Sequence, residues 1–430
     1  MSLHIGIARA DITPPIGIPM VGFAGRDRSN VVHDPLTATA LVAAEDENRA
    51  VLICTDLLYF EDTTIAEYRR AIAAATGIES DHVTLTCAHN HYGPDVDRSA
   101  GVDIVDAYRE NLKHLLVGIV SQAQQSLRPA RMGIGWGESD IGINRREKKP
   151  DGSIILGHNP DGPIDRQVCV VRFEEADGSP LVTLVNFACH PVCQASQMRA
   201  LSADYPGRMR QVVESLTGAP CLFLQGAGAN INPILMEHSC EPARTLGTRL
   251  GCEAVKVWET IEVEEMSGLR VVSRIVSLPR YRYGSAENAE QLVRDLEGEV
   301  ERRKAQEDSA SSLWWAQSRL KRAQEVLESW QVDAPLPTID AELQAWKLGD
   351  LALTTAPGEI FNEIGSRVKR DSPFAHTCFA AYANGSIGYV PVREAYSEGG
   401  YEVTHACRVD PEAGDLVHEG CLELLRSLAD

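Results

Sequence analysis

Short runs of β-forming residues alternate along this chain with amphipathic stretches, and the runs end on polar, chemically capable groups. AVLICTD (50–56) reads as a buried strand and 61–76 as a helix. HVTLTCAH (82–89) is a strand, and 104–126 is a helix carrying Val105, Tyr108, Leu112, Leu115 and Ile119 on its apolar face. LVTLVNFACH (181–190) is a strand, followed by a helix that starts at or just after Pro206 and stops at Gly218. APCLFLQG (219–226) is a strand and 241–260 a helix; LALTTAPGE (351–359) leads into a helix, and TCFAAYANG (377–385) is a strand. This βα rhythm predicts an α/β fold, a mostly parallel or mixed sheet covered by helices. No internal repeat is visible.

The strand ends carry Asp56, His89 and His91, His190, Gln225, Glu359 and Asn384. Ligands of open α/β sheets bind outside the carboxyl ends of the strands, so these residues are expected along one edge, around one site.

Residues 285–332 depart from the rhythm. They are rich in Glu, Arg, Lys, Gln and Ala and predict two long helices, a hairpin inserted into a single domain spanning 1–430. The chain rejoins the sheet near 345, with Trp314 and Trp315 available to anchor the insertion. The hairpin either lids a pocket or joins subunits of a homo-oligomer.

A formal net charge of −20 argues against nucleic acid or an anionic membrane as partner, because the overall field repels phosphate. The N-terminus MSLHIGIARADITPP lacks a signal peptide's basic and apolar regions, and no apolar run reaches the roughly 18–20 residues of a membrane span. Eleven scattered cysteines without a CxxC fit reduced, mostly buried thiols. The expectation is a cytoplasmic protein with no membrane anchor, acting on a small molecule.

Three histidines frame the chemistry. If strand geometry continues through Asn90, His89 and His91 point to one side. They then either share a metal or divide into a ligand and its neighbour; the alternative is a pair of ordinary polar loop residues. His190, in NFACHPV, adds a third imidazole at a strand end, and Zn2+ sites are commonly built from imidazoles plus a carboxylate. Glu359 supplies a carboxylate, or else favours the N-terminus of the following helix. QGAGANINP (225–233) lacks the Lys-Ser/Thr of a phosphate loop, leaving Asn230 and Asn232 as neutral donors to a carbonyl. Tyr389 and Tyr401 are either hydrogen-bond donors to an oxyanion or packed aromatics.

Together these segments resemble the catalytic domain of the neutral/alkaline non-lysosomal ceramidase family. ARADITPPIG, AHNHYGP, NFACHP, SADYPG, QGAGANINP, APGEIF and GYVPVREAYSEGGYEV run in the family's order over residues 8–403. The resemblance implies a Zn2+ held by His89, His190, Glu359 and Tyr389, with His91 and Tyr401 beside it toward substrate. It implies a substrate-binding role for Arg145 and supporting carboxylates in Asp56 and Asp204. The family's nucleophilic serine lies in Gly-Asp-Val-Ser-Pro; ANINP puts Asn232 in its place, which closes a serine-type acyl-enzyme route.

The expected activity is zinc-dependent hydrolysis of an amide or ester (a lactone included) by metal-activated water, on a small soluble substrate rather than ceramide. His91, Tyr401 and Asn232 would stabilise the oxyanion, and His91 or Asp56 would act as base. A carbonyl-rich or anionic group would face Arg145. Two other readings stand beside it: a metal-dependent isomerase or lyase on a sugar-like substrate, and a non-catalytic binding relative.

Overall fold

VTLTC, CLFLQ and LALTT are buried at every position. A strand can be buried on both faces only where both faces are covered, and each of these three belongs to the parallel pair of a separate sheet. The computed structural model describes residues 3–99, 101–308 and 310–429. It builds the three sheets from one repeated order: strand, strand, strand, helix, strand, helix.

The first unit comprises His4–Asp11, Thr37–Glu45, Asn48–Thr55, α1 (Asp62–Thr76), Val83–Cys87 and α2 (Asp103–Gln125). The second comprises Arg131–Glu138, Gln167–Glu174, Pro180–Phe187, α3 (Asp204–Thr217), Cys221–Gln225 and α4 (Glu241–Trp258). The third begins with Leu269–Leu278 and detours through α5 (Ala286–Ala305) and α6 (Ala310–Gln331). It continues with Ile339–Leu348, Leu351–Thr355, α7 (Asn362–Asp371) and His376–Ala380. Two short helices, α8 (Arg393–Glu398) and α9 (Tyr401–Thr404), then precede α10 (Ala413–Ala429).

In every unit the first three strands pair antiparallel, and the third pairs parallel with the fourth across its helix. The sheets are therefore mixed, and parallel pairing is a minority within them. Of the two expected arrangements, mostly parallel or mixed, the sheets take the mixed one, because two-residue turns at 46–47 and 349–350 fold consecutive strands back as hairpins. The repetition escapes the sequence because the units share geometry and not residues.

The three inner faces meet in a common core containing Leu41, Leu52, Val171, Leu222, Trp346 and Leu353. Outer faces are sealed by helix pairs: Tyr68 of α1 and Leu112 of α2 in one cluster, Met209 of α3 and Leu250 of α4 in another. α1 and α3 end at Gly77 and Gly218, the second as expected, each glycine at φ 73 capping the last turn. α3 begins at Asp204, two residues before Pro206, which sits harmlessly in the first turn. Helices α5 and α6 carry a small apolar seam of their own, Val293, Leu296 and Ala323. Among the described residues, no helix is long and apolar enough to cross a membrane.

Candidate metal centre

The carboxyl ends of the three parallel pairs converge and are stitched by backbone hydrogen bonds. Cys87 N donates to Tyr382 O at 3.1 Å, and Ala381 N to Gln225 O at 3.0 Å. The polar strand ends thus gather at one place, contributed by three sheets instead of one sheet edge.

The strand before His89 stops at Cys87, and His89 itself has φ 60, the left-handed region that is uncommon for a side chain of this kind. His89 and His91 converge through this turn, not through strand alternation. Asn90, wholly buried, staples it: Nδ2 donates to Asp56 O at 3.1 Å and Ser202 O at 2.7 Å, and Oδ1 accepts from Tyr92 N at 3.0 Å.

All three imidazoles are held the same way. Nδ1 of His89 faces Leu58 O at 3.1 Å, Nδ1 of His91 faces Gly22 O at 3.1 Å, and Nδ1 of His190 faces Gly228 O at 2.7 Å. Carbonyls only accept, so each Nδ1 carries the proton and each Nε2 offers a lone pair. Burial and the neighbouring imidazoles His89 and His190 hold His91 well below the ordinary imidazole range. Burial and the Arg145 guanidinium bring His190 down to about 4. Both are neutral near pH 7, the form that binds metal.

Ligating nitrogens of His89, His91 and His190 lie within 4.8 Å of one another. Glu359 Oε2 stands 3.3 Å from Nε2 of both His89 and His190. Two donors each about 2.0–2.1 Å from one Zn2+ at tetrahedral angles are about 3.4 Å apart, so the spacing suits a shared ion. Nε2 of His89, Nε2 of His91 and Oε2 of Glu359 are buried and make no hydrogen bond. Unpartnered polar atoms converging like this need an explanation; a divalent cation between His89 and Glu359 would satisfy two of them and leave the His91 lone pair beside it.

Arg145 ties the rest of the site together. Its Nη2 donates to the Tyr389 hydroxyl at 2.9 Å, its Nη1 faces His190 Nε2 at 3.3 Å and Asn232 Oδ1 at 3.5 Å, and its Nε donates to Glu402 Oε1 at 2.8 Å. Burial disfavours its charge, but Tyr389, Glu402 and Glu359 more than offset that. The Tyr401 ring meets Tyr389 edge-on at 5.9 Å. Burial pushes both phenols up, well above the ordinary range for Tyr389. His91, His89, His190, Glu359, Tyr389, Tyr401, Arg145 and half-buried Asn232 therefore share one locality. Arg145 does so with its Nε bonded to Glu402, a carboxylate it shares with Arg146.

The two aspartates are placed elsewhere. Asp56 accepts two hydrogen bonds from Arg210, at 2.8 and 2.6 Å, and two more from Thr37 at 2.7 and 2.9 Å. That carboxylate is saturated, so Asp56 as base is corrected by the geometry. Asp204 accepts from the backbone of Cys193 at 3.1 Å and Tyr205 at 2.6 Å, and the imidazoles are oriented by carbonyls instead. Asn230 is likewise structural, accepting from Asn362 N at 2.9 Å.

Sequence reasoning missed three residues. Glu402 is completely enclosed between Arg145 and Arg146 Nη1, the latter at 2.9 Å, and a glutamate next to Tyr401 gave no periodic signal. Tyr382 stacks on His89 with centroids 4.0 Å apart, inside a segment read only as a strand. Gly22 lies against His91; a Cβ there would come within 2.6 Å of Nδ1. Behind Arg146, a separate cavity of about 490 Å3 lined by residues such as Phe361, Arg367 and Glu398 does not include the histidines.

The family described as neutral/alkaline non-lysosomal ceramidase, N-terminal, matches residues 3–220. The neutral ceramidase of Pseudomonas aeruginosa is 23% identical over 461 residues, covering 93% of this chain and 68% of that protein. Neutral ceramidase A of Dictyostelium discoideum is 28% identical over 226 residues, covering 48% of this chain and 31% of its own length. The crystal structure of the Pseudomonas aeruginosa neutral ceramidase superposes with a TM-score of 0.76 at 20% identity, covering 100% of this chain and 74% of that one.

Proposed function

Since the chain belongs to the neutral/alkaline non-lysosomal ceramidase family, a family of hydrolases, we propose that it is a zinc-dependent hydrolase of small acyl amides. The observation that carries this reading is the convergence of unpartnered His89 Nε2, His91 Nε2 and Glu359 Oε2 beside His190.

His89, His190, Glu359 and Tyr389 would hold the ion. What it supplies there when bound is Lewis acidity, which lowers the pKa of a water from 15.7 to about 7 and polarises a carbonyl. His91 Nε2, a lone pair on neutral imidazole next to those donors, takes a proton from the attacking water. The new C–O bond forms, the C–N bond breaks, and the same nitrogen returns the proton to the departing amine. Asn232 Nδ2 and the Tyr401 hydroxyl donate to the oxyanion, and one such donor is worth roughly 10²–10³ in rate. Arg145, fixed by Glu402, aims the Tyr389 hydroxyl. Asparagine at 232 forms no acyl ester, so water attacks the substrate directly.

Neither the family nor the structural likeness favours an isomerase or lyase, and the complete donor set argues against a merely binding relative. The test is a panel of N-acyl amides, esters and lactones of graded chain length, given to metal-replete protein in 18O-labelled water. We expect one labelled oxygen in the acid product and loss of turnover on chelation. Unchanged turnover after full metal removal contradicts the reading.

A further inference from the structure

In each unit the first strand runs in the same direction as the third and fourth, so the connection leaving it starts at the edge where the histidines gather. Those connections are residues 12–36, 139–166 and 279–338. The first presents Gly22 O to His91, and the second presents Arg145 to His190 and Tyr389. The third is the α5–α6 hairpin, to which the chemistry above gives no task.

The hairpin reaches the site through stacked rings. Trp315 of α6 lies parallel to His405, with centroids 6.0 Å apart and planes 8° apart. His405 stacks on Tyr401 at 5.8 Å and 21°, and Tyr401 meets Tyr389. Arg322, about two turns along α6, donates from Nη2 to His405 O at 3.4 Å. The indole is itself fixed: Arg319 sits 4.5 Å over it and donates to Glu299 of α5 at 3.0 Å. Trp314, the neighbouring residue, instead meets Arg98 at 5.8 Å.

We infer that Trp315 is a positioning residue for catalysis, acting through His405 to hold the Tyr401 phenol against Tyr389. The inserted hairpin is then the third wall of the site. α9 is only four residues long and cannot orient Tyr401 unaided. It is gripped from one side by Arg145 and Arg146 on Glu402, and from the other by Trp315 and Arg322 on His405. The kinetic consequence rests on the hydrolase reading; the positioning itself does not.

The experiment places 3-fluorotyrosine at position 401 of the full chain and follows its 19F resonance beside steady-state kinetics. Trp315→Ala should shift and broaden the resonance and lower kcat about tenfold, with KM within about twofold. Trp315→Phe should restore both, and Trp314→Ala should leave both unchanged. His405→Ala should reproduce the Trp315→Ala resonance, which keeps the test open if the tryptophan variant fails to fold. The double variant Trp315→Ala/Tyr401→Phe should be no slower than Tyr401→Phe alone. An unmoved resonance in Trp315→Ala and His405→Ala, or fully multiplicative rate losses, overturns the inference. If the wild-type protein hydrolyses nothing, the hydrolase reading fails while the resonance still decides the positioning.

Discussion

The carboxylate of Glu402 accepts Nε of Arg145 at 2.8 Å, with the carboxylate wholly out of water. Its second oxygen accepts Arg146 Nη1 at 2.9 Å, so two buried guanidiniums share one buried carboxylate, and Arg146 Nη2 also donates to Glu398 at 3.1 Å. Removing one partner of a buried pair leaves uncompensated charge and typically costs about 3–5 kcal/mol. Glu402→Ala should show a loss of that order in denaturant unfolding, and lower turnover in whatever fraction folds, because Arg145 loses its aim at Tyr389.

Asp56 should match that stability loss and differ in turnover. Its carboxylate is consumed by Arg210 and Thr37, so Asp56→Asn should destabilise the fold by about 3–5 kcal/mol while kcat of the folded fraction stays within about twofold. A large kcat loss with unchanged stability would restore Asp56 as a base.

Gly22 is constrained twice, by φ +104 and by the His91 ring at 2.6 Å from any added Cβ. Gly22→Ala should therefore displace His91 and reduce kcat, with the metal content of the protein retained. Parallel metal analysis and kinetics check this; wild-type kcat in Gly22→Ala would show that the loop over His91 is not a fixed wall.

Burial pushes the Asp204 carboxyl up to about 7 from an ordinary 3.8. Between about pH 4 and 7 the folded chain then holds a proton that the unfolded chain releases. By linkage the contribution of Asp204 is full below about pH 4 and falls as pH rises to about 7. Unfolding free energies measured across that window should decline with a slope that Asp204→Asn flattens. An equal slope in both proteins would remove Asp204 as its source.

Much of this was legible in the sequence, for identifiable reasons. The helices α1 to α4 declared themselves as amphipathic stretches, α3 with its glycine stop at 218, and the α5–α6 hairpin through its composition. Polar residues at strand ends pointed to the site because backbone direction fixes which edge a strand end occupies. Pairing direction was not legible: VTLTC looks the same beside a parallel or an antiparallel neighbour, and the turns at 46–47 and 349–350 decide. Charge partners were hidden too. Asp56 and Glu402 are both isolated acids in the sequence, and only the fold gives the first to Arg210 and the second to Arg145.

The most direct measurement is zinc binding to purified protein by equilibrium dialysis with elemental analysis. The account predicts one ion per wild-type chain, and binding weakened beyond detection in both His190→Ala and Glu359→Ala that remain folded. A wild-type chain that binds no divalent ion, or variants that bind it as well as wild type, would contradict it.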